Sequence, residues 1–142
     1  MTTYFEDLKP GMSAESAYTV TETDLFDFAR VSGDRNPIHL DEAYAATTPF
    51  KGRIAHGILV ASYISALVAT KLPGPGAIYV GQTLNFLRPV KIGDEVKTRV
   101  EITGLDEKRA RATLACVCSV RGKSVLTGEA TIMVPRRFDA EG

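Results

Sequence analysis

The sequence predicts an α+β domain in which a curved antiparallel sheet wraps around one buried helix. Residues 57–71 are apolar on every side, which is typical of a helix surrounded by protein. Beyond residue 78, apolar side chains recur at every second position, which is the period of strands with one buried face. Because only this helix is apolar enough to fill such a sheet, we expect the sheet to curl around it.

Length and composition indicate a single domain over residues 1–142. Seventeen basic residues balance seventeen acidic ones, so no net charge recruits nucleic acid or an anionic membrane. The longest apolar run, residues 58–69, is shorter than the roughly 20 residues that span a bilayer, and residues 1–11 lack the apolar core of a signal peptide. We therefore expect a soluble, cytoplasmic protein with no nucleic-acid or membrane partner.

The front half of the chain is predicted to be mainly helical. Residues 16–20 form a short first strand, and Thr21 or Thr23 caps a helix with an apolar stripe of Leu25, Phe28 and Ala29. A turn at Gly33 ends that helix. Asp41 caps a short helix that runs to Ala46. After the buried helix, residues 73–76 (Pro-Gly-Pro-Gly) stop the chain from continuing as a helix.

The back half is predicted to form four strands. One covers residues 78–86, and three more alternate over residues 94–103, 112–120 and 126–134, joined by hairpins at 106–108 and 121–123. Cys116 and Cys118 fall on one face of the third strand. We expect them to be small apolar residues of a reduced core. A loose polar tail is expected over residues 136–142.

The motif with the clearest chemistry is residues 32–39, Ser-Gly-Asp-Arg-Asn-Pro-Ile-His. Fully extended, the segment would hold Asp34 and His39 up to ~17 Å apart. Gly33 and Pro37 favour a turn instead, so a folded-back loop could aim both side chains at one point. An acid and a histidine that converge on one water molecule are suited to proton transfer.

Residues 28–39, followed after five more residues by Ala45, closely resemble the signature of the MaoC-like R-specific enoyl-CoA hydratases (hydratase 2). Further blocks of that family match at residues 55–57, at 79–82 with Phe86, at 93–96 and at 127–130. The resemblance spans nearly the whole chain. It implies a hot-dog fold, a homodimer, and action on thioesters of coenzyme A or acyl carrier protein.

The resemblance assigns the catalytic pair to Asp34 and His39. Hydration of a trans-2-enoyl thioester adds the water oxygen at C3 and a proton at C2. We expect Asp34 to accept a proton from water that His39 orients, giving the R-3-hydroxyacyl product with no metal or redox cofactor. The thioester is the substrate, and hydration and dehydration share one transition state. Supply of this product for polyhydroxyalkanoate synthesis is an association of the family.

Supporting roles are assigned around this pair, each with a structural alternative. The Gly57 N–H, at the start of the buried helix, is the candidate oxyanion donor, although Gly57 could merely permit a tight turn. Ser65 aligns with a serine in the active site of family members, but could bond its own helix backbone. Asn36 is expected to hold the loop, and His56 to pack where the helix begins.

Substrate contacts are assigned on weaker grounds. Ile64 and Val68 could line an acyl tunnel, yet a buried helix needs such residues anyway. Gln82 could face the substrate or only its strand neighbours. Arg88 and Lys91 could meet the phosphates of coenzyme A or form solvated charge pairs.

Other functions were weighed against hydration. Hot-dog thioesterases and a second group of dehydratases commonly place an acid on or near the central helix, and residues 58–70 contain no Asp or Glu. A MaoC-like dehydratase of acyl-carrier-protein substrates would keep Asp34 and His39, so it remains an alternative. A non-catalytic module that binds acyl thioesters is a further alternative, but it would have no reason to retain both groups.

Overall fold

The computed structural model describes residues 2–137, and the part of the predicted tail at 138–142 lies outside them. The elements in chain order are β1 (Ser13–Thr19), α1 (Glu22–Ser32), α2 (Pro37–Leu40), α3 (Glu42–Ala46), α4 (Gly57–Thr70), β2 (Ile78–Gln82), β3 (Asn85–Phe86), β4 (Glu95–Asp106), β5 (Arg111–Val120) and β6 (Lys123–Met133). One 3₁₀ turn, Phe5–Asp7, precedes them. None of the helices within residues 2–137 has the length and apolar character needed to cross a bilayer.

All strands pair in one antiparallel sheet in the order β1-β4-β5-β6-β2, with β3 also paired to β6. Helix α4 packs against β4, β1 and β5, so its apolar side chains and the inner face of the sheet form one core. The predicted α+β class and hot-dog fold are confirmed.

The predicted faces of the long strands are also confirmed. The inward side chains of β4 and β5 are all buried, namely Val96, Thr98, Val100, Ile102, Ala112, Leu114, Cys116, Cys118 and Val120. Both cysteines are free thiols. Burial raises the pKa of Cys116 to about 11, so its thiol stays protonated and unreactive at neutral pH.

The strand predicted over residues 78–86 is interrupted in the structure. Side chains compete for the backbone groups at the break: the Gln82 amide donates to the Thr83 carbonyl (2.8 Å), and Thr83 Oγ1 accepts from the Glu129 N–H (3.0 Å). Pairing with β6 resumes at β3. The prediction of one continuous strand was wrong because it counted periodicity and not these side-chain bonds, one of which joins Thr83 to Glu129 on β6.

Helix α4 is covered by this chain on one side only. Its inner face is buried through Leu59, Val60, Ile64, Leu67 and Val68. On the other face Ile58 is 55 % exposed, and Ser65, Ala66 and Ala69 are exposed as well. We expected α4 to be surrounded by protein. In the single chain, only the face of α4 that packs on the sheet is covered.

Candidate active site

Short-range hydrogen bonds fold the Asp34–His39 loop back on itself. Gly33, at φ +82°, ends α1. The Asn36 N–H donates to Asp34 Oδ1 (3.2 Å), and Asn36 Oδ1 accepts from the Ile38 N–H (3.2 Å), which caps α2. Pro37 occupies the first position of that one-turn helix, where its missing N–H has no consequence. Asn36 therefore holds both the Asp34 carboxylate and the helix that carries His39.

His39 is held in one orientation by a distant backbone carbonyl. It lies on α2, is 8 % exposed, and places ring Nδ1 2.7 Å from the Ile54 oxygen. A carbonyl can only accept, so Nδ1 carries a proton. In the neutral ring the lone pair is then on Nε2, which is free to accept a proton during a reaction.

His56 lies directly behind the pair. It is buried, at 1 % exposure, and its Nε2 is 3.0 Å from the Asp34 carbonyl oxygen, to which it donates. Its ring stacks on His39 with centroids 3.9 Å apart, and Phe28 packs against it at 4.8 Å. Burial lowers the pKa of His56, although the bond to Asp34 opposes part of that effect. His56 is therefore a neutral side chain at neutral pH.

The two predicted catalytic side chains converge. A carboxylate oxygen of Asp34 and one ring nitrogen each of His39 and His56 lie within 4.8 Å of one another, a separation that one bridging water can span. Asp34 is exposed and His39 buried, and both border a cavity of about 530 Å³. Its walls are mostly apolar and include Gly57, Ile58, Phe86, Arg88 and Val90.

These three side chains are poorly arranged for a metal ion. His39 Nδ1 and His56 Nε2 already bond carbonyl oxygens. The two rings are stacked within 26° of parallel, so the lone pairs of the remaining nitrogens lie in nearly parallel planes. A bound zinc needs ligand lone pairs that converge at about 2.0–2.1 Å. The arrangement suits proton transfer instead.

Gly57 begins α4 at the cavity wall. Among residues 2–137, no backbone or side-chain acceptor is bonded to its N–H, and the positive end of the helix dipole lies there. A Cβ at this position would come within 2.7 Å of the Phe86 ring. The close approach that requires glycine is thus made by Phe86, and an oxyanion role for the Gly57 N–H remains a prediction.

Of the other residues predicted to contact substrate, Arg88 borders the cavity, Lys91 bonds a residue that does, and Gln82 lies outside the cavity lining. Arg88 borders the cavity, with Nη1 donating to the Ser124 carbonyl at 2.5 Å, and Lys91 Nζ donates to the carbonyl of Phe50, a cavity residue, at 2.8 Å. Gln82 does not border the cavity and accepts a bond from the Tyr79 hydroxyl at 3.0 Å.

The predicted contacts on α4 lie away from the cavity in the single chain. Ile64 and Val68 are buried in the core against the sheet, and Ser65 is exposed on the opposite face. The helix-backbone bond considered for Ser65 is made by Ser62, whose hydroxyl donates to Leu59. The roles of Ile64, Ser65 and Val68 therefore remain predictions.

Sequence reasoning missed three parts of the site. The Ile54 carbonyl orients His39, yet every residue has a carbonyl, so no sequence signal marks it. The bond from His56 to Asp34 depends on how α4 meets the loop. Phe86 appeared only as part of a family block, and its position over Gly57 follows from the pairing of β3 with β6.

The chain is similar to known proteins in both sequence and fold. The family model described as "MaoC like domain" matches residues 6–121. An (R)-specific enoyl-CoA hydratase of Rhodospirillum rubrum is 54% identical, with 94% of this chain and 93% of the relative covered. A 3-hydroxybutyryl-CoA dehydratase of Methylorubrum extorquens is 51% identical, covering 97% of this chain and 88% of the relative.

The solved structure of the unliganded R-hydratase PhaJ1 from Pseudomonas aeruginosa superposes with a TM-score of 0.90. It shares 50% identity, and the match covers 96% of this chain and 88% of that one. On the family match and these identities, the chain belongs to the MaoC-like domain family.

Proposed function

We propose that the protein catalyses the reversible, R-specific hydration of trans-2-enoyl-CoA to (R)-3-hydroxyacyl-CoA. The observation that carries the proposal is the convergence of Asp34 and His39, within reach of one water, on a largely apolar cavity. The relatives that share 51% and 54% identity bear the names of a hydroxyacyl-CoA dehydratase and an enoyl-CoA hydratase. These names describe the two directions of one reaction.

In the proposed reaction, Asp34 and His39 share the proton transfer. Asp34 accepts a proton from the bound water as the water oxygen bonds to C3, and His39, held by Ile54, orients that water through Nε2. The electrons of the double bond move toward the thioester oxygen. The pair then returns a proton to C2 on the same face, so the addition is syn and the atoms of one water are consumed.

The negative charge that develops on the thioester oxygen needs a donor. The Gly57 N–H lies on the cavity wall at the positive end of α4, and a single such donor contributes about 3 kcal/mol in the transition state. The apolar wall around Phe86 and Val90 suits an acyl chain. We assign the oxyanion role to Gly57 as part of this proposal.

The proposal includes a homodimer. The outer face of α4, with Ile58 and Ser65, is exposed in the single chain, and Ile78 and Val80 of the sheet-edge strand β2 are 53 % and 44 % exposed. An unpaired, apolar edge strand promotes association with a second chain. Sedimentation equilibrium tests this part, and a particle with the mass of one chain contradicts it.

Two further parts of the proposal concern cofactors and cellular location, and they rest on the reaction chemistry and on the sequence. Addition of water changes no net oxidation state, so we propose that no redox cofactor is required. Because Asp34, His39 and His56 are poorly arranged for a metal ion, we propose that no metal is required either. Activity that survives exhaustive chelation and dialysis supports this, and activity restored only by added metal contradicts it. The cytoplasmic location is likewise a proposal, tested by fractionation of the native cell.

Crotonyl-CoA and purified protein test the main proposal. Loss of the conjugated-thioester absorbance, with (R)-3-hydroxybutyryl-CoA as the product, is the expected result. Asp34→Asn and His39→Ala should each slow turnover by a factor on the order of 100 or more, the usual scale for a general acid–base group. Release of free thiol would indicate a thioesterase, and binding without reaction a non-catalytic module. Turnover only of the carrier-protein thioester would indicate the alternative dehydratase.

A further inference from the structure

We propose that His56 is a positioning residue of the active site, acting through the hydrogen bond from its Nε2–H to the Asp34 carbonyl. The inference deepens the proposed hydration and rests on it. His56 does not line the cavity; it acts on Asp34 and His39, which do.

The His56 side chain does not serve the helix that it precedes. It occupies the N-cap position of α4, yet its side chain makes no capping bond. Histidine is also outside the residue types favoured at that position, which are Ser, Thr, Asp, Asn and Gly. Its one side-chain hydrogen bond is directed instead to the backbone of Asp34, 22 residues earlier in the chain.

The other ring nitrogen of His56 also supports a positioning role. His56 Nδ1 is buried and has no hydrogen-bond partner within residues 2–137. An unpaired buried nitrogen is destabilising, so an apolar ring such as phenylalanine would serve better if the position only had to be filled. The nitrogen that distinguishes histidine from phenylalanine here is Nε2, which donates a hydrogen bond to the Asp34 carbonyl.

The hydrogen bond from His56 to Asp34 links parts of the site that are far apart in sequence. The bonds that Asn36 makes are local to the loop. The bond from His56 ties the Asp34 backbone to the start of α4, one residue from Gly57. The same ring lies flat on His39 at 3.9 Å. One side chain therefore sets the acid, the imidazole and the helix start relative to each other.

Two substitutions separate the donor from the packing. His56→Phe keeps an aromatic ring against His39 and Phe28 but removes the N–H. His56→Gln places an amide N–H near the position of Nε2 and gives up the ring. We expect His56→Phe to lower kcat by a factor on the order of 10 to 100, the scale of a small misplacement, with KM within about threefold of wild type. His56→Gln should recover most of kcat.

Thr98→Val is the matched control for stability. Thr98 is equally buried at 1 % exposure, and its hydroxyl lies 3.5 Å from Cys118 Sγ inside the sheet, away from the cavity. Its kcat per folded molecule should equal that of wild type, even where the melting temperature falls. Activities are therefore compared per folded protein, measured by thermal unfolding of each variant.

Equal kcat values for His56→Phe and His56→Gln overturn the proposal, as does a loss explained by the unfolded fraction or by KM alone. If wild type fails to hydrate crotonyl-CoA, the proposed function falls instead, and amide NMR decides the positioning role by itself. The Asp34 and Asn36 amide signals should then shift in His56→Phe and stay near wild type in His56→Gln. Unchanged signals in both variants overturn it.

Discussion

The Asp34–His39 loop and the three long strands β4, β5 and β6 are held in place by different means. Each strand pairs with its neighbour over about ten positions, and its inward side chains share one core. The loop is fixed by a few single bonds, of which those from Ile54 and His56 come from residues distant in sequence. Redundant contacts preserve the geometry of the sheet when one contact is lost, whereas the geometry of the loop depends on each bond.

Because of this difference, we expect the stability of the fold to depend mainly on the sheet and the activity mainly on the loop. The inner face of the sheet contributes many of the buried apolar side chains of the core, and burial of apolar surface is a main source of the stability of the fold. The loop is largely exposed, except for His39, and contributes geometry. Substitutions in the two regions should consequently affect different measurements, and the comparison can be tested from both sides.

The largest effect on stability is expected in the sheet. Leu114 on β5 is fully buried, and Leu114→Ala leaves a cavity that should lower the free energy of unfolding by about 3 kcal/mol. Urea unfolding followed by circular dichroism measures this. Below the transition, kcat on crotonyl-CoA per folded molecule should stay within about twofold of wild type. A large loss of kcat in the folded variant would show that the sheet positions the site as directly as the loop does.

Asn36→Ala tests whether a single bond within the loop affects both stability and activity. The change removes the Asn36 Oδ1 bond to the Ile38 N–H, the side-chain cap of α2, and should cost about 1 kcal/mol of stability. Because α2 carries His39, we also expect kcat to fall on the order of tenfold. Thermal unfolding and steady-state kinetics give the two numbers.

Asp41→Ala is the control for that experiment. Asp41 Oδ1 accepts from the Tyr44 N–H at 3.0 Å and caps α3 by the same chemistry, outside the cavity lining. It should therefore cost similar stability with kcat unchanged. If both variants lose kcat equally, the capping of α2 has no special role in the site.

The same contrast explains how much the sequence could predict. Alternation is a local signal repeated over many residues, so the inward positions of β4 and β5 were predicted correctly. The N-cap at Asp41 was also predicted, because its partner lies three residues away. The turn around Asp34 was expected from Gly33 and Pro37, but its closure into α2 was not.

The parts that sequence could not supply depend on tertiary contacts. The break between β2 and β3 follows from side-chain bonds that link Thr83 to Glu129 on β6. The bond from His56 to Asp34 joins residues 22 positions apart. Neither of these hydrogen bonds leaves a periodic pattern in the sequence. A histidine that precedes a glycine, as His56 does, is equally compatible with a residue that only packs. Residue identities therefore predicted which groups are candidates for the reaction, and only the coordinates reveal what holds them in place.

The smallest expected effect is the dependence of stability on pH. Burial places the pKa of His56 in the folded protein below its ordinary value, so above about pH 6.5 both folded and unfolded chains hold it neutral and it contributes no slope. As pH falls below about 6.5, the unfolded chain binds a proton at His56 before the folded chain does. Stability must then decrease, by at most about 1.4 kcal/mol per pH unit from this one group.

His56→Gln isolates that contribution, since glutamine does not titrate while the carboxylates of the chain, Asp34 among them, remain. The free energy of unfolding from urea titrations at pH 7.5, 6.5 and 5.5 should decline more steeply in wild type than in His56→Gln. The two curves should run parallel above about pH 6.5 and diverge below it, because only there does protonation of the unfolded chain differ. Parallel curves over the whole range would mean that His56 takes up its proton equally in both states. In that case, His56 would not be held as a buried, neutral ring in the folded protein.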